Sequence, residues 1–237
     1  MSHPSRRNPG NLLLSHLPAA GRHAIAPLLR NQHIRPGTVL TQRMRPVTHA
    51  WFPHRALVSL TISTADGRMA EVASIGHDGA VGIEAGQEPS VALCDSTVRI
   101  GGEFSVIRTD QLRALAASYG ALEADLCRYL RMLTAELQQS VACNNLHRLD
   151  QRCCRWLLTA QDRSGLDELP LTQETLAALL GAARPGISQT LRRLEQAGLI
   201  QQQRGLIRLR NRAGLIARTC ECHDAVDRVW SGLGRGS

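Results

Sequence analysis

The segment LTQETLAALLGAARPGISQTLRRLEQAGLI, residues 171–200, constrains the chain more than any other. Two short runs with helical apolar spacing flank a Gly-Ala-Ala-Arg-Pro junction, which predicts two small helices held at an angle. Thr172 stands where a helix N-cap belongs, its hydroxyl able to satisfy one of the first free N–H groups. Leu176, Leu179 and Leu180 give the first helix a face to bury, and Gly181 follows where a helix commonly ends on a left-handed residue. The second helix is predicted to begin at Arg184-Pro185, because proline in a first turn sacrifices no hydrogen bond. Ile187, Leu191 and Leu194 recur at i, i+4 and i+7 and form its core face. Pro185, Ser188, Gln189 and Arg192 project the other way, Arg184 leads the helix, and no acid precedes Glu195.

Charge sharpens the reading. All 28 basic residues are Arg, and the net charge is +8. Residues 172–218 contain Arg184, Arg192, Arg193, Arg204, Arg208, Arg210, Arg212 and Arg218 against Glu174 and Glu195, a local excess of 8 − 2 = +6. A clustered positive field suits a polyanion. Guanidinium and amide groups on a free helix face match the acceptors and donors of base edges in a major groove. A helix-turn-helix presents its second helix in this way while the first crosses the backbone. Arg184, Pro185, Ser188 and Gln189 are therefore the candidate base-reading residues. Thr172, Gln173, Arg192 and Arg193 are candidate phosphate contacts. Beyond Gly198, "LIQQQ" and "LIRLR" flank Arg204-Gly205 as two short strands and a turn. Such a wing offers Arg204 and Arg208 to phosphate.

Upstream, residues 1–10 read as a flexible lead-in and 11–30 as short helical turns broken by Pro18 and Pro27. From about 36 to 108, β-prone runs ("GTVL", "HAWFP", "RALVSLTIS", "MAEVASIG", "AVGIE", "VALCDSTVRI", "FSVI") alternate with Pro-Gly, Asp-Gly and Gly-Gly breaks. That spacing predicts a sandwich or barrel, with "TADGRM" as a hairpin turn. From 110 to about 162 only Gly120 interrupts a helical pattern. Leu122, Leu126, Tyr129/Leu130, Leu133, Leu137 and Val141 form a stripe that invites an identical partner, the alternative being that it packs on the chain's own β-domain. Asn144-Asn145 interrupts the stripe, a second pattern (Leu146, Leu149, Cys153, Trp156, Leu157) begins there, and 162–170 reads as a polar loop. The expected class is α+β: an N-terminal antiparallel β-domain over 1–108, which the resemblance below makes a β-roll, a long dimerisation helix region over 109–145, and a winged helix-turn-helix over 146–237.

These residues carry a family resemblance. "LTQETLAALLG…RPGISQTLRRLEQAGLI…RGLIRL" is similar to the helix-turn-helix and wing of the Crp/Fnr family of bacterial transcription regulators. "HAWFPHRALVSLTIS…GRMAEVASIGHDGAVGI" resembles its cyclic-nucleotide-binding-like, cupin-like β-roll, and "NRAGLIARTCECHD" the C-terminal helix of one branch. The resemblance implies a homodimer on a palindromic DNA site, with Arg184, Ser188 and Gln189 at base-reading positions and RNA polymerase as a further partner for an activator. Two departures matter. Cyclic-nucleotide binders of the family carry Gly-Glu followed by Arg-Ser/Thr-Ala, the Arg meeting the phosphate. Here Gly82-Ile83-Glu84 is a loose echo, and "PSVALC" (89–94) holds no Arg. A buried phosphate without a cation is poorly compensated for its desolvation, so no cyclic-nucleotide binding is expected. No Cys precedes Cys94, which disfavours the N-terminal iron–sulfur cluster of oxygen-sensing members, and no residue singles itself out as a haem ligand.

No cofactor, metal site or catalytic residue is expected. Cys153 and Cys154 point about 100° apart on a helix and read as core filling. Cys220-x-Cys222 beside His223 faces two sides of a helix, which weakens it as a metal site. His49, His54 and His77 lack a metal-ligand spacing. No phosphate loop, nucleophile elbow or paired carboxylate is present. The rival reading is a small-molecule-binding or enzymatic β-barrel whose winged helix contacts protein. The seven Cys lack framework spacing, and no apolar run nears the roughly 20 residues that span a bilayer. A cytoplasmic protein with reduced thiols is therefore expected.

Overall fold

The computed structural model describes residues 10–231, so the expected lead-in lies almost wholly outside the described residues. Two short helices, α1 (Leu12–His16) and α2 (Ala19–Ile25), precede the β region. The strands are β1 (Arg30–Ile34), β2 (Val39–Thr41), β3 (His49–Pro53), β4 (Leu57–Ser63), β5 (Met69–Ile75), β6 (Asp95–Ile100) and β7 (Gly102–Arg108). They form a three-stranded sheet in the order β1-β7-β3 and a four-stranded sheet in the order β2-β6-β4-β5. β7 pairs antiparallel with both β1 and β3. The β4–β5 hairpin turns at the expected Asp66-Gly67, where Gly67 has φ +82°. No period-2 apolar pattern announces β1: its first four side chains are exposed, and pairing with β7 holds it. "AVGIE" is not a strand. Val81 makes a single bridge to Trp51, and Gly82 (φ +77°) then turns the chain into a 3₁₀ segment at Ile83–Gly86. A Cβ at Gly82 would collide with the His49 carbonyl, so this turn requires glycine.

Three helices follow, α3 (Thr109–Ser118), α4 (Gly120–Leu146) and α5 (Leu149–Ser164). After β8 (Glu168–Leu169) come α6 (Gln173–Leu179), α7 (Arg184–Gln196), β9 (Ile200–Gln203), β10 (Leu206–Leu209), α8 (Arg212–Ile216) and α9 (Cys222–Ser231). Asn144-Asn145 does not break α4; Asn145 turns its side-chain amide back onto the Val141 carbonyl at 2.8 Å and the helix runs on to Leu146. Among the described residues, no helix is long and apolar enough to cross a membrane.

The chain forms two compact units. The first takes residues up to 58, 75–130 and 163–165; the second takes 59–74, 131–162 and everything from 166 onward. In the first, Phe52, Leu57, Ile83, Phe104, Ile107, Leu112, Leu122, Leu126 and Tyr129 are fully buried. The Tyr129 hydroxyl donates to the Ala80 carbonyl at 2.7 Å and accepts from the Ala80 N–H at 2.9 Å. A Cβ on Gly79 would come within 2.6 Å of that oxygen, so glycine is needed for the approach.

This anchoring fixes how α4 is turned. Its buried seam is Leu122, Leu126 and Tyr129, continued in the second unit by Met132, Glu136, Ser140 and Cys143. The chain itself therefore takes the start of the expected stripe: Leu122, Leu126 and Tyr129 are buried in the first unit. Leu130, Leu133 and Leu137 are half-buried, and Val141 is 63% exposed. Leu146, expected to start the next apolar pattern, is also exposed. In α5 Cys153, Trp156 and Leu157 are buried as expected and Leu149 is half-buried, while Cys154 and Leu158, outside the expected pattern, are buried too. Cys153 and Cys154 are free thiols, and burial pushes the Cys154 thiol up to about 11. A thiol held protonated in this way is unreactive filling.

Candidate nucleic-acid interface

The second unit contains the two-helix segment at 171–200. Thr172 caps α6, its hydroxyl accepting from the Thr175 N–H at 3.0 Å. Leu176, Ala177 and Leu179 are buried. Gly181 adopts φ +57°, and the Ala182 N–H donates back to the Ala177 carbonyl at 2.9 Å to close the turn. α7 starts at Arg184 with Pro185 in its first turn. Its inner face is Ile187, Thr190, Leu191 and Leu194, all buried. Burying each of the three aliphatic side chains contributes about 1.5–3 kcal/mol to seating the helix.

The opposite face of α7 is open. Arg184, Pro185, Gln189, Arg192 and Arg193 are exposed and Ser188 is half-exposed, so the candidate base-reading residues share one solvent-facing surface. Rotation by about 100° per residue puts 185, 189 and 192 on the arc opposite the leucines and 188 on its flank, while Arg184 is exposed because it leads the helix. The acid that ends this face is turned away: Glu195 accepts from the Gln202 backbone N–H at 2.6 Å and from the Gln202 side-chain amide at 3.0 Å. Gln202 in turn accepts from Gln173 Nε2 at 2.8 Å. This chain of amides ties the start of α6, the end of α7 and β9 together. Gln173, expected at phosphate, therefore has its side-chain amide engaged within the protein.

The wing is present with one addition. β9 and β10 pair antiparallel, in register from Leu206 opposite Gln203 to Leu209 opposite Ile200. Gly205 makes the turn at φ +72°, and Arg204 beside it is exposed. The stretch 162–170 is not only loop: β8 adds a third strand alongside β10. Through it Glu168 reaches Arg208 as an ion pair, so this expected phosphate contact already holds a carboxylate. Arg212 is likewise engaged, with Gln161 at 2.6 Å and Asp162 at 2.8 Å. The residues that sequence reasoning misses are thus Glu195, Gln202 and Glu168. Glu195 carries a signal as the sole acid of α7; the other two gain their roles only from strand pairing.

The first unit holds a different polar site. An open cleft of about 560 Å³ is lined by Glu84, Gln87, Glu88, Ser90, Val91, Leu93 and Glu123. Its lining carries three carboxylates and no cation. Burial pushes the Glu84 carboxyl above its usual range, because desolvation disfavours the charged form.

Residues 151–218 match the model of the Crp-like helix-turn-helix domain. Among solved structures, the chain is similar to FixK2 from Bradyrhizobium japonicum, with a TM-score of 0.69 at 16% identity over 81% of this chain and 98% of that one. A Crp/Fnr-family transcriptional regulator from Eubacterium rectale gives a TM-score of 0.66 at 18% identity, covering 86% of this chain and 96% of that one. A CRP-family transcriptional regulator from Thermus thermophilus gives 0.65 at 18% identity, covering 79% and 95%. At these identities the likeness is one of fold. No curated protein matches the sequence.

Proposed function

We propose that the chain, whose residues 151–218 match the Crp-like helix-turn-helix model on a fold like that of the Crp/Fnr regulators, is a DNA-binding transcription regulator that reads a palindromic operator as a homodimer. The observation that carries the reading is the split of α7 into a buried leucine face and an exposed face of Arg184, Pro185, Ser188, Gln189 and Arg192. Arg184 and Gln189 supply bidentate partners for G and A in the major groove. Arg192, Arg193 and Arg204 are the phosphate partners, with Thr172 beside them at the start of α6. Arg208 joins only if it leaves Glu168.

The partner is a second copy, packed along α4 through Leu130, Leu133, Leu137 and the exposed Val141. Two recognition helices then meet the duplex about one turn, or roughly 34 Å, apart, which requires an inverted repeat. Genome-wide mapping of bound sites tests operator and dimer together. The expected result is an inverted repeat with half-site centres about 10–11 base pairs apart or a multiple of that. Bound fragments with a single unrepeated motif would overturn the dimer, and no enrichment of any motif would overturn sequence-specific reading. Where those sites lie relative to promoters decides whether RNA polymerase is a partner. The first unit's cleft, without a cation for the phosphate, supports a regulator that does not answer to cyclic nucleotides.

A further inference from the structure

Outside the DNA-binding face, the second unit gathers four side chains that the sequence scatters. Cys143 lies near the end of α4, His147 one turn later, Cys220 in the turn after α8, and Cys222 at the start of α9. Their ligand atoms, three Sγ and one imidazole nitrogen, all lie within 4.8 Å of one another. Cys143 and Cys220 have Sγ atoms 3.5 Å apart, and Cys222 Sγ is 3.5 Å from His147 Nδ1. A tetrahedral zinc ion with Zn–S of about 2.3 Å and Zn–N of about 2.0 Å needs sulfur–sulfur and sulfur–nitrogen edges of about 3.5–3.8 Å. The observed spacing meets that to within small side-chain adjustments, and it is far from the roughly 2.05 Å of a disulfide.

We propose that Cys143, His147, Cys220 and Cys222 form a structural zinc site that fastens the segment leading into α9 to the end of α4. The remaining contacts are those of a metal site. His147 presents Nδ1 to the sulfurs while its Nε2 faces Glu221 Oε1 at 3.2 Å. That carboxylate–imidazole arrangement fixes the orientation of a ligating ring. Gln139 donates its amide to Cys222 Sγ at 3.0 Å, where it supports a thiolate. Arg155 acts electrostatically on Cys143 and offsets part of the negative charge of three thiolates around one divalent ion. Cys143, Cys220 and Cys222 are buried, and the His147 side chain is only 15% exposed. Four protein ligands in a buried tetrahedral set leave no open position, which marks a structural rather than a catalytic centre. On binding, the three thiols lose their protons to solvent as the sulfur–metal bonds form. A soft S₃N tetrahedral set selects zinc over hard cations such as magnesium or calcium.

Half of the signal lies in the sequence. Cys143 and His147 stand at i and i+4, the helical spacing that places two ligands on one face. Cys220-x-Cys222 points to two sides only if both positions belong to one helix. In the structure Cys220 precedes α9 in a turn, which frees its side chain to converge with Cys222.

The test uses the full-length protein, purified under reducing conditions without added metal. Elemental analysis is expected to find about one zinc per chain. Cobalt(II) added to chelator-stripped protein is expected to give the intense visible bands of tetrahedral cobalt and a thiolate charge-transfer band in the near ultraviolet. Cys143→Ser, Cys220→Ser and His147→Gln should each lose most of the bound zinc and alter the cobalt spectrum, while Cys94→Ser, outside the cluster, should change neither. If a Cys→Ser chain does not fold, the cobalt titration of wild type and the His147→Gln spectrum decide the matter alone. Failure of the wild-type protein to retain or take up zinc, or a cobalt spectrum unaltered in His147→Gln, overturns the site. So does a Cys143–Cys220 disulfide found by mass spectrometry in the wild-type protein as purified under reducing conditions. Operator binding is read separately by gel shift, so a zinc-loaded protein that ignores DNA would sink the functional reading and leave the metal site standing.

Discussion

The cleft of the first unit and the outer face of α7 in the second are both solvent-facing and polar, yet they are charged in opposite senses. The cleft presents Glu84, Glu88 and Glu123 around apolar Val91 and Leu93. The face of α7 presents Arg184, Arg192 and Arg193, with its terminal acid drawn inward to Gln202. The fold supplies both surfaces, but the charges on them decide what each can hold. An anionic partner is favoured at α7 and disfavoured at the cleft.

The largest expected effect comes from stripping the cationic surface. Replacing Arg192, Arg193 and Arg204 with Ala together should weaken binding to every duplex alike. Each arginine withdrawn from a phosphate should flatten the log K against log salt line by about 0.9, and a dimer with six withdrawn by about 5. Fluorescence anisotropy across a salt series measures this; an unchanged slope removes these arginines from the phosphate. Next in size is Arg184→Ala, expected to cost about 1–3 kcal/mol on the cognate operator and to relax preference at one base pair per half-site. Gel shifts on single-base operator variants check it, and an unaltered preference profile would exclude Arg184 from base reading. Smaller again is Glu168→Gln, which acts through the Arg208 pair. Freeing Arg208 should steepen the salt line by up to about 0.9 per subunit. A line that does not steepen would mean that Arg208 cannot reach the backbone even when released.

Much of α7 is legible in the sequence because helical period, proline in the first turn and a glycine stop are local signals. Arg184–Gln196 begins where Pro185 allows it, and Gly181 turns left-handed as its position predicts. The wing turn at Arg204-Gly205 is equally local. What escapes are features set by partners distant in the chain. β1 has no apolar alternation and exists through β7; β8 exists through β10. Period alone places Leu122, Leu126 and Tyr129 on the α4 stripe, but it cannot say whether the chain's own first unit or a second copy will claim them. Tyr129, held at Ala80 by two hydrogen bonds, decides it. The cysteine cluster shows the same limit, since its two halves lie more than seventy residues apart.

The smallest expected effect is at the cleft. A ligand present at a concentration equal to its Kd stabilises the native state by RT ln 2, about 0.4 kcal/mol, provided it ignores the unfolded chain. For a protein of this size that corresponds to a melting shift of about 1–2 °C. Cyclic AMP or cyclic GMP at millimolar concentration should therefore shift the melting temperature by less than about 1 °C. The half-buried Glu84 carboxyl is held above its usual range by desolvation. Ionised, it repels a cyclic phosphate; protonated, it offers one hydrogen bond and no positive charge, so neither form replaces a guanidinium. A shift of several degrees with either nucleotide would show that charge at the cleft does not decide its ligand, and the contrast with α7 would fail. Leu93→Arg sharpens the contrast, because Leu93 lines the cleft and is 74% exposed, leaving room for a longer polar side chain. If the added cation confers a nucleotide-dependent shift that wild type lacks, the missing charge is what separates the two surfaces. If it confers none, shape rather than charge closes the cleft to nucleotides.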